Sequence, residues 1–440
     1  MSTTARGGEA RLSTGPDLGV GDTGNRVDFV DDLRTLAVVF MVMLHTLHGW
    51  LLPEMRTGAL WTLVRLAGGL AAPAFFFLAG AGVALRVHAD RAREVPPDAT
   101  MGRLLLRGAI IMALGVGLRL SMWLVDSHGV IRADSWRVML PASVGIAALV
   151  MAHGGRGPAR QRAATVAAGG AVLLAVASSQ VAALDPEGLS AVLRGDVLGA
   201  LGACIAAVAL LTRLPIVLSQ PWLLMVAAAM LALATPDIGS LAGTTLSPRL
   251  AGYLVAGPGT AHEPFPLIPW VAHALGGGAV GVWWIRARAR QDLPTTLAAL
   301  AALGALCALL TSEHLPACYR ALAAVPAAVP AARALSRFGL VLVLSGAVAL
   351  VPKLLAPFRP LGRASLLAYW LHLPFAFGLP SRPLAHALTP GQWGLAFAVL
   401  IVVLLAITSI LSRTGAARHD RTRQEATNRS SPLRTKQAVL

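Results

Sequence analysis

The sequence predicts an all-α, polytopic bundle of transmembrane helices, and composition and hydropathy are the observations behind this prediction. Of the 440 residues, 56% are hydrophobic and only 13% are charged, with a mean hydropathy of +0.67. A soluble globular domain does not need so much apolar sequence. We interpret residues 26–412 as the membrane domain, residues 1–25 as a disordered cytoplasmic lead and residues 413–440 as a basic, disordered cytoplasmic tail.

Apolar windows of about 17 to 25 residues mark the individual spans. We count twelve, with ten or eleven possible, because the fourth and sixth are short and Pro266 and Pro269 make the start of the eighth irregular. The windows are residues 34–52, 66–85, 104–125, 138–152, 163–184, 196–212, 215–235, 266–285, 295–311, 334–356, 364–381 and 392–412.

The positions of the arginines predict the orientation, because cytoplasmic loops carry an excess of Lys and Arg. With the N-terminus inside, the inside segments and the tail hold most of the 37 basic residues, so we assign both termini to the cytoplasm. The net charge of +16 is then explained by topology, without nucleic acid as a partner. We expect an integral protein of a bacterial plasma membrane, with the lipid bilayer as its first partner.

The same orientation puts a segment rich in Gly, Thr and Pro, residues 236–264, outside. Long ordered loops tend to be functional, so this segment is a candidate lid or substrate platform. An unstructured connector is the alternative.

The first span carries an unusual set of ionisable residues. Arg34 and His45 are eleven positions apart, which places them on one helix face about 16 Å apart along the axis. Asp31 lies one turn before Arg34, and His48 lies one turn after His45. Because ionisable groups at bilayer depth are costly and usually face a cavity or a partner, this face is a candidate functional site.

Each of these residue types suits a particular role in that site. His45 is a candidate general base or transient acyl acceptor, since imidazole can be neutral and basic near physiological pH. Arg34 suits an anionic group such as a phosphate, and Asp31 could orient it. The alternative is an arginine that reaches to the inner interface and a histidine hydrogen-bonded near the outer headgroups.

Four stretches of the chain are similar, in order, to the integral-membrane acyltransferase superfamily. This superfamily includes acyltransferase family 3 and relatives of heparan-α-glucosaminide N-acetyltransferase. The stretches are residues 26–37 followed by an apolar run to His45, residues 72–80, residues 265–270 and residues 361–372.

The resemblance implies transfer of an acyl group, often acetyl from acetyl-CoA, to a hydroxyl or amine of a sugar, glycolipid or other small acceptor at the outer face. His45 would be the matching catalytic histidine, and Arg34 the matching first-span arginine. The chain departs from the pattern at Thr35, where the family usually has Gly, and residues 155–250 carry no matching motif.

Other residues could bind the two substrates. Arg91, Arg93 and Arg103 follow the second span and could bind the phosphates of acyl-CoA, with positive-inside anchoring as the alternative. Further residues are candidates for binding the acceptor. The alternatives for them are a solvated loop charge, a place in the interfacial aromatic belt, or helix packing. These candidates are His48, Asp126, Trp270, Tyr369 and His372.

No disulfide framework or metal site is expected. The three cysteines show no paired spacing, and His45 and His48 lack an obvious third ligand. Acyl-CoA is therefore expected only as a donor substrate, with no metal.

Two other classes of protein remain open. A proton-coupled secondary transporter or flippase could use the Arg and His of the first span as a relay. We see no internal repeat of the kind that marks many transporters. A structural or sensory membrane protein would leave the intramembrane charge unexplained.

Overall fold

The structure is a computed structural model that describes residues 28–126, 134–154, 160–311 and 328–430. Within these ranges the regular structure is helical, and only isolated β-bridges occur beside the helices. This confirms the all-α class. The predicted N-terminal lead lies outside the described residues, and the division into lead, membrane domain and tail stays a prediction.

The helices are numbered here in chain order. They are α1 (Asp28–Trp50), α2 (Gly58–Gly68), α3 (Ala71–Arg91), α4 (Pro97–Asp126), α5 (Trp136–Gly154), α6 (Arg160–Leu184), α7 (Pro186–Val192), α8 (Val197–Leu211), α9 (Pro215–Ser219), α10 (Trp222–Leu233), α11 (Thr235–Thr245), α12 (Pro248–Leu254), α13 (Leu267–Ala289), α14 (Leu293–Leu310), α15 (Ala328–Leu350), α16 (Pro352–Leu355), α17 (Arg359–Arg363), α18 (Ser365–Phe377) and α19 (Pro390–Ser430). Short 3₁₀ helices lie at Pro53–Met55, Ala356–Phe358 and Leu379–Leu384.

Each apolar window of the sequence falls on helix. In the described part of the chain, seven helices are long and apolar enough to cross a membrane, or up to nine if each of two bent pairs forms one span. The pairs are α7 with α8, bent by 47°, and α10 with α11, bent by 60°. The chain is an integral membrane protein, while the orientation of its termini stays a prediction.

The segment between residues 236 and 264 differs from the expected loop. It contains α11 and α12, which enclose a small apolar cluster of Ala242, Ala251 and Val255. Pro236 and Pro248 lie in the first turns of these helices, where the missing N–H costs no hydrogen bond. The glycines and prolines therefore punctuate two short helices rather than form one long connector.

The centre of the bundle is the crossing of α3 and α13. A Cβ added at Gly80 would overlap the carbonyl oxygen of Ala274, and one added at Gly277 would overlap that of Phe77. Small residues allow two backbones to approach this closely in a membrane protein. The remaining helices pack mainly as pairs around the crossing, with α4 against α8, α5 against α6, and α14 against α15.

Helix α1 positions the candidate site because it touches both the centre and the C-terminal helices. It packs against α3 on one side and against α17 and α18 on the other. Leu44 lies against Gly68, and Arg34 lies against Gly82, so α1 and α3 are antiparallel. Gly49 lies against Ala376 and the Asp31 backbone against Gly362, so α1 runs in the same direction as the α17–α18 segment.

Candidate active site

One end of α1 is fixed by two buried carboxylates. Asp32 is fully buried and pairs with Arg359 through two contacts, 2.6 Å to Nε and 2.9 Å to Nη2. Asp31 is 2% exposed and pairs with Arg363 at 3.2 Å and with Arg34 at 3.4 Å. The predicted contact between Asp31 and Arg34 is present, and the same carboxylate also ties α1 to α17.

At the other end of α1, His45 contacts His372 of α18. A Cβ on Gly49 would overlap the Ala376 carbonyl oxygen, so the glycine lets α1 and α18 approach closely one turn beyond the histidines. The Trp50 indole N–H donates to the Phe375 carbonyl at 3.1 Å. This packing brings His45 Nδ1 to 2.8 Å from His372 Nε2.

The partners of His372 determine which nitrogens carry protons. His372 Nδ1 lies 2.9 Å from the Ala368 carbonyl, which can only accept, so Nδ1 carries the hydrogen. In a neutral ring this leaves a lone pair on His372 Nε2. His45 Nδ1 must then donate to it, and the lone pair of His45 is left on Nε2. The hydrogen bond orients one nitrogen of His45, and the basic nitrogen has no hydrogen-bond partner among the described residues.

The predicted donor-binding arginines lie at the Arg34 end of the bundle. Arg91 and Arg93 are exposed at the end of α3 and in the turn that follows. Arg103 pairs at 2.8 Å with Asp90, a buried carboxylate that also pairs with Arg86. Arg103 therefore joins α4 to α3, which is a structural contact that the sequence prediction did not include.

A different set of three arginines meets at this end. Arg107 on α4 is exposed and lies within electrostatic range of Arg34 on α1 and Arg86 on α3. No salt bridge to Arg107 occurs within the described part of the chain. We call Arg34, Arg86 and Arg107 the arginine cluster. Arg86 and Arg107 are the first and last residues of the basic stretch that holds the predicted Arg91, Arg93 and Arg103.

The predicted acceptor residues are only partly brought together. Tyr369 lies edge-on to His372, with ring centroids 5.7 Å apart. His48 instead packs against Trp61 at 5.3 Å, and Trp270 stacks on Phe76 at 5.1 Å. Of the candidates in the described part of the chain, His372 thus contacts His45, and Tyr369 contacts His372.

Asp126 ends α4, but its side chain lies outside the described part, as does its neighbour His128. The role of Asp126 in binding the acceptor stays a prediction.

A cavity of about 580 Å³ lies between α4, α8, α12 and the start of α13. Its wall carries an ion pair between Arg119 and Asp196, 3.5 Å apart, with both side chains about 15% exposed. Tyr369, which contacts His372, lies within electrostatic range of both groups. The cavity therefore lies near this tyrosine. We call this space the polar cavity.

The far wall of the polar cavity is fixed by hydrogen bonds to backbone groups. Tyr253 donates to the Leu193 carbonyl, and the Gly195 N–H donates to Glu263. Burial, together with the nearby Glu263 carboxylate, raises the pKa of the Tyr253 phenol. The phenol therefore stays protonated and keeps its role as a donor. Spacing within one helix does not predict that Arg119 and Asp196 are partners, since Arg119 lies on α4 and Asp196 caps the start of α8.

Among the ranges described, no three His, Cys, Asp or Glu side chains form a group that could hold a metal ion.

Comparison with known proteins adds one finding. Residues 26–317 match the family described as heparan-alpha-glucosaminide N-acetyltransferase, catalytic. A comparison with curated proteins found no match. The family match supports the resemblance to the glucosaminide N-acetyltransferase relatives and does not extend to acyltransferase family 3 specifically. The matched residues include α1 to α14 and His45, whereas His372 lies beyond them. The chain, an integral membrane protein with a histidine pair on α1 and α18, belongs to the heparan-α-glucosaminide N-acetyltransferase catalytic family.

Proposed function

We propose that this protein transfers an acetyl group from cytoplasmic acetyl-CoA to a hydroxyl or amine of an extracytoplasmic sugar, glycolipid or similar acceptor. The observation that carries the proposal is the hydrogen bond between His45 and His372, 2.8 Å long, which leaves His45 Nε2 as a free base. The family match supports acetyl transfer independently.

The arginine cluster is the proposed site for the phosphates of the donor. Arg107 has no ion pair in the described chain, and guanidinium groups suit phosphate oxygens. CoA carries its thioester at the end of a long, flexible pantetheine arm. Arg34 and His45 are about 16 Å apart along α1, so such an arm could hold its phosphates at one end of the helix and its thioester at the other.

The polar cavity is the proposed acceptor site. The Arg119 guanidinium can donate to hydroxyl oxygens, and the Asp196 carboxylate can accept from a hydroxyl or bind a protonated amine. Tyr369 lies within electrostatic range of this pair and contacts His372, so an acceptor bound there would lie near the histidine pair.

The proposed step balances as a direct transfer. His45 Nε2 takes the proton from the acceptor hydroxyl or amine while that oxygen or nitrogen bonds to the thioester carbonyl carbon. The carbon–sulfur bond then breaks, and the leaving thiolate takes the proton from His45 as free CoA. In the alternative order, His45 Nε2 bonds to the thioester carbon and the carbon–sulfur bond breaks to leave the CoA thiolate. The acceptor oxygen or nitrogen then takes the acetyl carbon from Nε2, and the acceptor proton passes to the thiolate.

Release of free CoA by the reconstituted protein tests this function. We expect wild type to release CoA from acetyl-CoA when a mixed pool of sugar acceptors is supplied, and His45→Ala to release none. His88→Gln, at an exposed histidine on α3, is the matched control and should behave as wild type. Equal release by wild type and His45→Ala would remove His45 from the mechanism.

The same assay separates the enzyme from the transporter alternative. A transporter or flippase has no reason to consume a thioester. Proton-coupled movement of a solute without any CoA release, and without binding of acetyl-CoA, would favour the transporter.

A further inference from the structure

A second cavity, of about 260 Å³, lies away from the histidine pair, between α10, α13 and α15. Its walls are almost entirely apolar and include Met225, Ala232, Gly276 and Phe338. We call it the lateral cavity, because its rim includes Leu233 and Leu335, whose side chains are 51% and 43% exposed on the apolar surface of the bundle. A lipid chain could enter from that surface without crossing a polar layer.

Two polar side chains lie in this apolar wall, Thr311, which donates to the Cys307 carbonyl, and His273. His273 is only 3% exposed, and neither of its ring nitrogens has a hydrogen-bond partner within the described part of the chain. The Pro269 carbonyl one turn earlier faces the ring without reaching hydrogen-bond geometry. A buried polar group without a partner is costly. A leucine at this position would form an apolar wall without leaving a polar group unpaired. The histidine therefore indicates a ligand that carries a polar group at this depth.

Two cationic side chains lie on α15, the helix that forms one wall of the cavity. Arg333 and Arg337 are exposed on α15, the helix that also contributes Ala331, Ala332 and Leu335 to the wall. No ion pair to either arginine occurs among the described residues. The two guanidinium groups lie within electrostatic range of one another, and Arg337 lies within range of His273. The apolar cavity and the buried His273 thus lie near two arginines of α15.

We propose that the lateral cavity binds an anionic phospholipid. One acyl chain fills the apolar space, an ester carbonyl accepts a hydrogen bond from the His273 ring, and the phosphate pairs with Arg337 and Arg333. Basic pockets between transmembrane helices bind lipid headgroups in this way.

The site is separate from the proposed acetyl transfer. It is formed by α10, α13 and α15, whereas the histidine pair belongs to α1 and α18. Lipid binding can therefore be measured without turnover, and its outcome does not depend on the proposed function.

Native mass spectrometry of the full chain, stripped of lipid in detergent, tests the proposal. Phosphatidylglycerol and phosphatidylcholine with identical acyl chains are added separately, and their binding is compared. We expect wild type to bind phosphatidylglycerol about tenfold more tightly, because both lipids carry the phosphate but the choline cation of phosphatidylcholine offsets its attraction to the two arginines. Arg333→Gln combined with Arg337→Gln should abolish the preference. Arg288→Gln with Arg290→Gln, which removes the same charge at the other end of α13, should preserve it.

A second variant tests the histidine. His273→Phe keeps a ring in the wall and removes the unpaired nitrogens, so the lipid-free protein should melt at a higher temperature than wild type. The rise in melting temperature on adding phosphatidylglycerol should become smaller. Equal binding of the two lipids by wild type, or a preference that survives the Arg333/Arg337 double variant, would overturn the proposal. So would a His273→Phe protein that gains as much from the lipid as wild type does.

Discussion

At the scale of single residues, His45 and His372 have different tasks although they share one hydrogen bond. The Ala368 carbonyl fixes the proton of His372, and His372 in turn fixes the proton of His45. His372 is therefore a positioning residue in the proposed reaction, since it acts on the substrate only through His45. This is the role that an orienting group plays for the histidine of a hydrolytic triad.

Substitution of His372 by two amides tests this role. In His372→Gln the side-chain carbonyl oxygen can occupy the position of Nε2 and still accept from His45, whereas in His372→Asn the amide reaches only the position of Nδ1. We expect kcat to fall by about 100-fold in His372→Asn and by much less in His372→Gln, with little change in the KM for acetyl-CoA.

The split between kcat and KM separates positioning from a merely structural effect. A common loss of folded protein would reduce both variants alike. Equal kcat values for the two amide variants would argue against a positioning hydrogen bond.

Arg107 tests the proposed donor site. It is the member of the arginine cluster without an ion pair in the described chain, so its removal should weaken phosphate binding without breaking a contact within the protein. We expect Arg107→Gln to raise the KM for acetyl-CoA by about tenfold, because a charge-assisted hydrogen bond is worth roughly 1.5 kcal/mol or more. Steady-state kinetics with Arg290→Gln as the control measures this. An unchanged KM would leave Arg107 as an ordinary anchoring charge.

Sequence reasoning identified some of these residues and missed others for a physical reason. Arg34 and His45 lie on one helix, so the 3.6-residue period alone predicts their shared face. His372 is 327 positions from His45, and its contact depends on how closely α1 and α18 pack at Gly49. Arg119 and Asp196 likewise meet only because α4 and α8 are neighbours. Spacing rules within one helix do not reach such pairs.

At the scale of helices, the buried ion pair between Asp32 and Arg359 holds α1 to α17. The Asp32 side chain is 0% exposed and that of Arg359 is 16% exposed. Loss of one partner leaves a buried charge without compensation, which typically costs about 3 to 5 kcal/mol. The pair therefore matters more for the position of α1 than a surface pair of the same length would.

We expect Asp32→Ala to lower the free energy of unfolding by about 3 kcal/mol, measured by thermal or denaturant unfolding in detergent. The matched control is Asp98→Ala, which breaks the exposed pair with Arg213, where the side chains are 83% and 48% exposed. Exposed pairs contribute about 1 kcal/mol or less. Similar losses in the two variants would show that the Asp32 pair is not a special tie between helices.

Hydropathy predicted the helices well and the connections poorly. Apolar windows fall on helices because a chain in a bilayer must satisfy its backbone hydrogen bonds within each span. The segment from residue 236 to residue 264 was misjudged because its Gly, Thr and Pro content resembles that of a loop. Its apolar residues instead enclose the small cluster of Ala242, Ala251 and Val255 between α11 and α12.

At the scale of the whole molecule, the arginine distribution predicts that both termini face the cytoplasm. Reporter fusions at residue 440 and at a truncation after residue 264 test this, using one enzyme active only in the cytoplasm and one active only outside. We expect the fusion at residue 440 to be active as the cytoplasmic reporter and the fusion after residue 264 as the outer one. The reverse pattern would invert the proposed sides of donor and acceptor.

The proposed catalytic arrangement also depends on parts of the chain that are far apart in sequence. The family match ends at residue 317, yet Arg359, Arg363 and His372 all come from beyond it. The matched portion alone lacks Arg359, which pairs with Asp32, and His372, which accepts the hydrogen bond from His45. Family resemblance thus identifies the chemistry, while the C-terminal helices complete the site.

The placement of the arginine cluster and the histidine pair at opposite ends of α1 has an electrical consequence. In the proposed reaction the CoA phosphates stay at one end, the acetyl group moves toward the acceptor, and the proton of a neutral acceptor moves back to the thiolate. No net charge then crosses the membrane. Moving one elementary charge through 100 mV is worth about 2.3 kcal/mol, so turnover of this kind neither uses nor opposes the transmembrane voltage.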